Sequence, residues 1–162
     1  MPATYEPIAT TTLGSAAATI TFSTIPATYT DLRLVFVGTS TTSGGLGIRF
    51  NSNGFNYSVT RLRGNGTAAS SDRETSTTSL NVGNISSSTP SLYTFDVFSY
   101  AGSTNKTVLS ESNNDLNGSG WVYRTVGLWS NTAAITSVSV LEILGYQLAA
   151  GSTATLYGIK NA

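Results

Sequence analysis

The segment that decides the fold is Asp31–Gly38, with the sequence DLRLVFVG. Successive side chains of a β-strand point to opposite faces of its sheet, so alternate residues of this segment share a face. One face carries Leu32, Leu34 and Phe36. The other carries Arg33, Val35 and Val37, and it is also mostly apolar. We therefore predict an interior strand that is covered on both faces.

Two strands are predicted before this segment. Tyr5–Leu13 is rich in β-branched residues, and Pro7 confines it to a sheet edge or a strand start. Ala18–Phe22 alternates in polarity, so that Ile20 and Phe22 share a face. The chain thus opens with a peripheral strand and a short second strand.

Downstream of the segment, apolar and β-branched runs alternate with turn residues. Asn53-Gly54 predicts a hairpin between two of these runs, because both residue types tolerate positive φ. Thr67–Thr78 is polar without clear periodicity, and we predict a long surface loop that carries protein-specific contacts. The predicted strands lie at 46–50, 57–63, 79–82, 91–100, 106–112, 121–129, 135–144 and 152–160.

The number and spacing of these strands define the fold class. No window of ten or more residues has the 3.6-residue apolar period of a helix. About ten strands separated by turn signals predict an all-β, antiparallel two-sheet sandwich with almost no helix, and a jelly roll is the favoured topology. We expect residues 1–162 to form one domain, since a chain of this length can bury one sizeable core.

The composition excludes several classes of function. Charged residues make up 10% of the chain, with eight basic and eight acidic side chains, whereas serine and threonine approach a third. This balance lacks the basic footprint of a nucleic-acid binder. Cysteine and histidine are absent, which removes thiolate metal sites and the usual hydrolase triads. We expect no enzyme activity, no cofactor and no membrane partner, and a soluble product without a classical export signal.

The loop Asn113–Gly120 has a calcium-like pattern, with oxygen-bearing side chains at alternate positions and a glycine at the sixth position. An EF-hand loop needs a glutamate at its twelfth position, where this chain has Arg124. The same residues are typical of a tight turn between strands, which we favour.

Aromatic residues form a second candidate site, because Trp121, Tyr123 and Trp129 share strand parity. Such a row can be a stacking platform for sugar rings or bases. It can equally fill the core of a sandwich, and we favour this interpretation because large aromatic side chains are mostly buried.

Charged residues form the remaining candidates. Arg61, Arg63 and Arg73 cluster near the predicted loop, where they either pair with acids of a neighbouring subunit or remain ordinary exposed arginines. A glycosidase needs two carboxyl groups within about 5 to 10 Å. Five acids are candidates for such a pair: Asp31, Glu74, Asp96, Glu111 and Glu142. We expect them to be turn formers or solvated residues instead, although Asp96 and Glu142 lie in the middle of predicted strands.

Three segments resemble a family of small virion structural proteins of tailed bacteriophages, including phages of cyanobacteria. They are residues 5–13 (YEPIATTTL), 20–32 (ITFSTIPATYTDL) and 150–160 (AGSTATLYGIK). The resemblance covers about a third of the chain and leaves residues 39–132 unmatched. It implies a β-sandwich on the virion, as a capsid decoration (cement) protein or as part of the tail or fibre, and it transfers no binding residues.

These observations give three functional hypotheses. The first is a homotrimeric jelly-roll subunit, made in the host bacterial cytoplasm, that binds the major capsid protein and stabilises the capsid lattice by burying apolar and hydroxyl-rich surface. The second is a tail fibre or baseplate module that recognises host polysaccharide through Trp121 or Trp129. An exposed tryptophan beside Asn or Asp at a loop end would favour it, and burial of both tryptophans would count against it. The third, a glycan-degrading enzyme, requires two carboxylates facing one cleft.

Overall fold

The computed structural model describes residues 4–160, which form twelve β-strands and no α-helix. The strands are β1 Tyr5–Thr12, β2 Thr19–Phe22, β3 Asp31–Gly38, β4 Gly44–Phe50, β5 Tyr57–Gly64, β6 Ala69–Thr77, β7 Leu80–Ile85, β8 Ser91–Phe98, β9 Lys106–Asp115, β10 Gly120–Trp129, β11 Val138–Glu142 and β12 Thr153–Ile159.

The strands build two antiparallel sheets of unequal size. The large sheet has the order β1-β12-β3-β8-β9-β10-β5-β6, and the small sheet has the order β2-β11-β4-β7. Strands β3, β4 and β5 pair with β8, β7 and β6 respectively, so this part of the chain is a long hairpin rolled across both sheets. Such nested pairing is typical of a jelly roll. The prediction of an all-β two-sheet sandwich is confirmed.

The core lies between the sheets and is lined by alternate residues of each strand. Leu32, Leu34 and Phe36 of β3 are buried, and the Phe36 ring lies 5.8 Å from that of Tyr93. At the other end of the large sheet, Trp129 packs against aromatic rings of β4 and β5. One apolar cluster therefore holds the two sheets together.

Strand β3 is interior, as predicted, but it is not covered on both faces. It lies between β12 and β8. Its second face is open, because Val37 is 44% exposed and Arg33 and Val35 are only half-buried. The small sheet packs on one side of the large sheet, and within residues 4–160 no layer packs on the other.

The predicted hairpin at Asn53-Gly54 is wrong, because β4 and β5 belong to different sheets. The connection carries the chain from the small sheet to the large one, and its positive-φ residues include Asn51 and Asn56 rather than Gly54. The hydroxyl of Tyr57 fixes this crossing: it accepts the N–H of Phe50 at 2.8 Å and donates to the carbonyl of Asn53 at 3.0 Å. The turn residues reverse the chain around the edge of the core instead of joining neighbours.

The predicted loop Thr67–Thr78 is also wrong, since most of it forms the edge strand β6. An edge strand pairs through its backbone with one neighbour and needs no apolar face. The polar sequence of β6 therefore lacks the apolar alternation from which a strand is predicted. The preceding Asn65-Gly66 makes the hairpin turn, in which the Asn65 side-chain oxygen accepts the N–H groups of Thr67 and Ala68 at 3.1 and 2.8 Å.

We expect Phe36→Ala to lower the free energy of unfolding by about 3 to 5 kcal/mol, because it leaves a cavity in a closely packed core. Val37→Ala is the matched control on the open face, and it should cost under about 1 kcal/mol. Urea unfolding followed by circular dichroism measures both. Equal losses for the two variants would contradict the one-sided covering of β3.

Candidate functional site

The open side of the large sheet, which we call the outer face, carries exposed apolar side chains. Strand parity places Leu62 of β5, Val122 and Val126 of β10, and their cross-strand neighbours on it. Seven of the ten exposed large apolar side chains among residues 4–160 belong to this face: Tyr5, Val37, Leu62, Leu92, Phe98, Val122 and Val126, which are 38–59% exposed. Exposed apolar groups that are contiguous in this way mark interaction surfaces.

Apolar residues of the outer face are arranged in continuous groups. Val37 lies directly opposite Leu92, and Leu92 is separated from Val122 by one strand. Leu62 lies opposite Arg124, between Val122 and Val126. Together with Ala69 and Gly64, Leu62 and Val122 line an apolar depression on this face.

Polar groups of the outer face are largely satisfied within the face. Arg33 faces Asp96 at 3.5 Å, and Arg124 pairs with Glu111 across β10 and β9. Hydroxyl pairs join the edge strand β1 to its neighbour β12, such as Thr10 with Thr155 at 3.0 Å. This face therefore combines apolar and hydroxyl surface with charges that already have partners, which lowers the desolvation cost of covering it.

A second candidate site lies at the open end of the sandwich, around Trp121. The small sheet ends near Ile85, and the large sheet continues past it. Trp121 therefore remains half-buried, at the junction of two adjoining clefts. We call this pair of clefts the end cleft. Its walls include Gly64 and Asn65 of the β5–β6 hairpin, which line both clefts.

The aromatic row divides along β10 because the covering layer is shorter than the strand. Trp129 is fully buried and stacked on Tyr57 at 6.2 Å, which confirms the core interpretation for this residue. Tyr123 is also buried, against Gly83 of β7, which has a φ of +136° and where a Cβ atom would lie 2.9 Å from the Tyr123 ring. Trp121 alone of the row reaches the surface.

Polar side chains surround Trp121. Asn114 is its cross-strand neighbour, is 5% exposed, and donates from Nδ2 to Ser91 Oγ at 2.8 Å, while its Oδ1 has no partner. Arg63 Nε donates to Ser70 Oγ at 2.9 Å. Asn84 of the small sheet closes the opposite wall.

Arg61 is buried next to the end cleft and is paired within its own chain. It donates from Nε and Nη2 to Asp72 at 3.2 and 2.5 Å, from Nη2 to Glu74, and from Nη1 to the carbonyl of Asn81 at 3.4 Å. The hydrogen bonds that Arg61 donates to the Asp72 carboxylate raise the pKa of Arg61 and lower the pKa of Asp72. Arg61 is therefore not free to bind a neighbouring subunit, contrary to one of the two alternatives.

The three arginines do not form one cluster. Arg61 and Arg63 lie on the inner face of β5, whereas Arg73 is exposed on the outer face of β6. Of the five candidate residues, only Arg63 and Trp121 line the end cleft, with Arg61 adjacent to it. Trp129 lies at the far end of the sandwich core.

The acidic candidates have structural partners. Glu142 is buried, and its carboxylate accepts backbone N–H groups of Gly45, Leu144 and Tyr146 at 2.7–3.0 Å. Asp96 faces Arg33. Among residues 4–160 no group of three potential Asp, Glu, His or Cys ligands could hold a metal ion.

The turn predicted within Asn113–Gly120 is present but shorter, since residues 116–119 join β9 to β10 and Asn113–Asp115 are part of β9. Leu116 donates its N–H to the carbonyl of Ser119 at 2.8 Å, and Asp115 accepts the N–H of Asn117 at 2.8 Å. Asn117 and Gly118 have the positive φ values of 55° and 113° that such a turn requires.

Sequence reasoning missed Ser70, Asn84 and Asn114 as parts of a site. Ser70 and Asn84 lie in segments predicted to be loops, on strands of different sheets. Only the pairing of Asn114 with Trp121 was accessible from a predicted β9–β10 hairpin. Sequence reasoning also failed to predict the burial of Lys106, whose side chain is fully buried and donates to the carbonyls of Gly102 and Thr132 at 2.7 and 3.4 Å.

Comparisons with known proteins give one structural likeness. No family model and no curated protein matches this chain. A solved structure of a galectin from Caenorhabditis elegans resembles it with a TM-score of 0.35 and 12% identity, over 91% of this chain and 94% of that one. Within the described residues, no helix is long and apolar enough to cross a membrane.

We expect the Arg61–Asp72 pair to stabilise the fold at neutral pH and to lose this effect in acid. The folded-state pKa of Asp72 is lowered, so its contribution is complete above the unfolded-state value of about 3.9 and disappears as the pH falls through the folded-state pKa. Asp72→Asn should therefore destabilise the protein at pH 7 and have little effect at pH 2, as measured by urea unfolding. Glu111→Gln, at a pair that is more than half exposed, is the control and should cost little at either pH. A loss at Asp72 that is the same at both pH values would contradict the assignment.

Proposed function

We propose that this protein is a structural component of a tailed-phage virion, a capsid decoration protein that docks on the capsid lattice through its outer face. The resemblance of residues 5–13, 20–32 and 150–160 to phage virion proteins suggests the setting. The observation that carries the proposal is the outer face itself, an uncovered sheet side on which exposed apolar and hydroxyl side chains lie among paired charges. The partner is the major capsid protein, and the place is the capsid surface.

The chemistry of the outer face suits a permanent contact. Burying apolar area contributes about 25 cal/mol per Å², and stable interfaces bury about 1,200–2,000 Å² in total. A face of eight strands is broad enough for such a contact. The formal charge of the chain is zero, so copies crowded on a lattice repel one another little.

We propose further that the protein is a homotrimer and has no catalytic role. The trimer rests on the resemblance alone, because strand order does not fix a rotation axis. The non-catalytic role is supported by the acids: Asp72 and Glu74 are held by Arg61, and Glu142 by backbone N–H groups. These carboxylates are engaged in holding the fold together.

The end cleft supports a second candidate function, that of a tail fibre or baseplate module that recognises host polysaccharide. Trp121 lies beside Asn65 and Asn114 at a loop end, as expected of such a module, but it is half-buried rather than exposed. Trp129 takes no part, because it is buried in the core.

Capsids assembled without this chain provide the test of docking. The purified protein should co-sediment with them saturably and raise the temperature at which they release their genome. Val126→Asp places an unpaired charge in the outer face at a side chain that is 52% exposed, so it should leave folding intact and weaken binding at least about tenfold. Trp121→Ala, in the end cleft, is the matched control and should bind capsids normally.

Two results would overturn docking through the outer face. One is full capsid binding by Val126→Asp. The other is binding of the protein to isolated tails but not to capsids, which would instead favour the second candidate function.

A further inference from the structure

The end cleft has the size of a binding site for a small ligand. Its inner part, between the sheets, measures about 200 Å³, and its outer part, between the β5–β6 and β9–β10 turns, about 590 Å³. Ligand pockets are typically about 300–1,000 Å³. Trp121 lies where the two parts meet, so a bound molecule that spans both parts contacts its ring.

The composition of the walls defines the class of ligand. Trp121 offers an apolar aromatic surface. Val122 adds further apolar surface, and amide and hydroxyl groups are contributed by Asn65, Ser70, Asn84 and Ser119. A purely apolar ligand would leave these polar groups without partners. A pyranose ring suits both features, because it has a flat C–H face that can stack on an indole and a rim of hydroxyl groups that donate and accept hydrogen bonds.

Asn114 adds an independent observation. It lines the outer part of the cleft and is the cross-strand neighbour of Trp121. Its side-chain oxygen is a buried acceptor without a partner, which is costly to maintain. Asn114 therefore leaves a hydrogen-bond acceptor unsatisfied in the wall next to Trp121.

Charges around the end cleft are close to balanced. Arg61 is paired with Asp72 and Glu74. The negative charge of Asp115 in the lining of the outer part offsets the positive charge of Arg63 in the lining of the inner part. Such a site has no surplus positive charge with which to attract uronate or phosphate groups.

We propose that the end cleft binds an uncharged hexopyranose chain of a cell-surface polysaccharide, with one sugar ring stacked on Trp121 and with Arg63 and the cleft amides hydrogen-bonded to its hydroxyls. The inference rests on the second candidate function proposed above and names its ligand. The end cleft adjoins the outer face at Gly64 and Val122, but Trp121 and Val126 lie on opposite faces of β10, so variants at these two residues test the two proposals separately.

The test is calorimetric titration of the intact protein with four oligosaccharides: maltohexaose, cellohexaose, chitohexaose and hexagalacturonate. At least one of the three uncharged chains should bind, and hexagalacturonate should bind at least tenfold more weakly. Trp121→Ala should weaken binding at least about tenfold, and Trp121→Phe should retain part of it, because a smaller ring still stacks. Val126→Ala, on the other face of the same strand, should bind as the unchanged protein does. Thermal unfolding of each variant checks that it is folded.

Each other outcome overturns the proposal in a distinguishable way. Preference for hexagalacturonate would refute the uncharged ligand and leave polysaccharide recognition standing. Unchanged binding by Trp121→Ala would place the sugar elsewhere on the protein. Absence of binding to all four would reject the saccharide site together with the second candidate function, without bearing on capsid docking.

Discussion

The structure depends on packing an eight-stranded sheet against a four-stranded one. The apolar inner side of the large sheet is buried by this contact, which supplies the core. The small sheet is too narrow and too short to cover the large one entirely. Its strand β7 lies over β9, β10 and β5, while the edge strand β6 extends beyond it. The polar inner side of β6 and the open end around Trp121 both follow from this mismatch.

The mismatch also explains where charge is buried. Arg61 sits on the inner face of β5 at the margin of the small sheet, where an apolar residue would have lacked a full covering layer. The overhanging β6 brings Asp72 and Glu74 to it. The same margin leaves Arg63, two residues further on, exposed at the end cleft. Solvent exposure of the inner-face side chains therefore increases along β5, from the buried Arg61 to the exposed Arg63.

Strand alternation made much of the fold predictable from sequence. The alternation in β3 correctly placed Leu32, Leu34 and Phe36 together on one buried face, because a two-residue period follows directly from strand geometry. It could not show that the other side of β3 is open, since covering depends on how many strands the second sheet contains. The edge strand β6 was missed for the related reason that backbone pairing leaves no mark on side-chain polarity.

The end cleft was less predictable than the fold. Trp121 and Arg63 were recognisable as candidates, and the hairpin turns on either side were recognisable from Asn and Gly. Bringing Asn84 opposite them requires knowing that β7 belongs to the small sheet, which is a relation between segments far apart in sequence. The crossing at residues 51–56 determines that relation, and its Asn-Gly pair was mistaken for a simple hairpin.

Both edge strands of the large sheet, β1 and β6, carry features that hinder pairing with the edge of another sheet. The β1 edge contains Pro7, which has no N–H to donate, and an irregularity between Pro7 and Ala9, and the β6 edge carries Asp72, Arg73 and Glu74 in succession. Proline, bulges and charge are the devices that keep sheets from joining edge to edge. Growth of an open-ended ribbon of subunits joined through these two edges is therefore disfavoured, which leaves the outer face as the surface through which the large sheet can meet another protein.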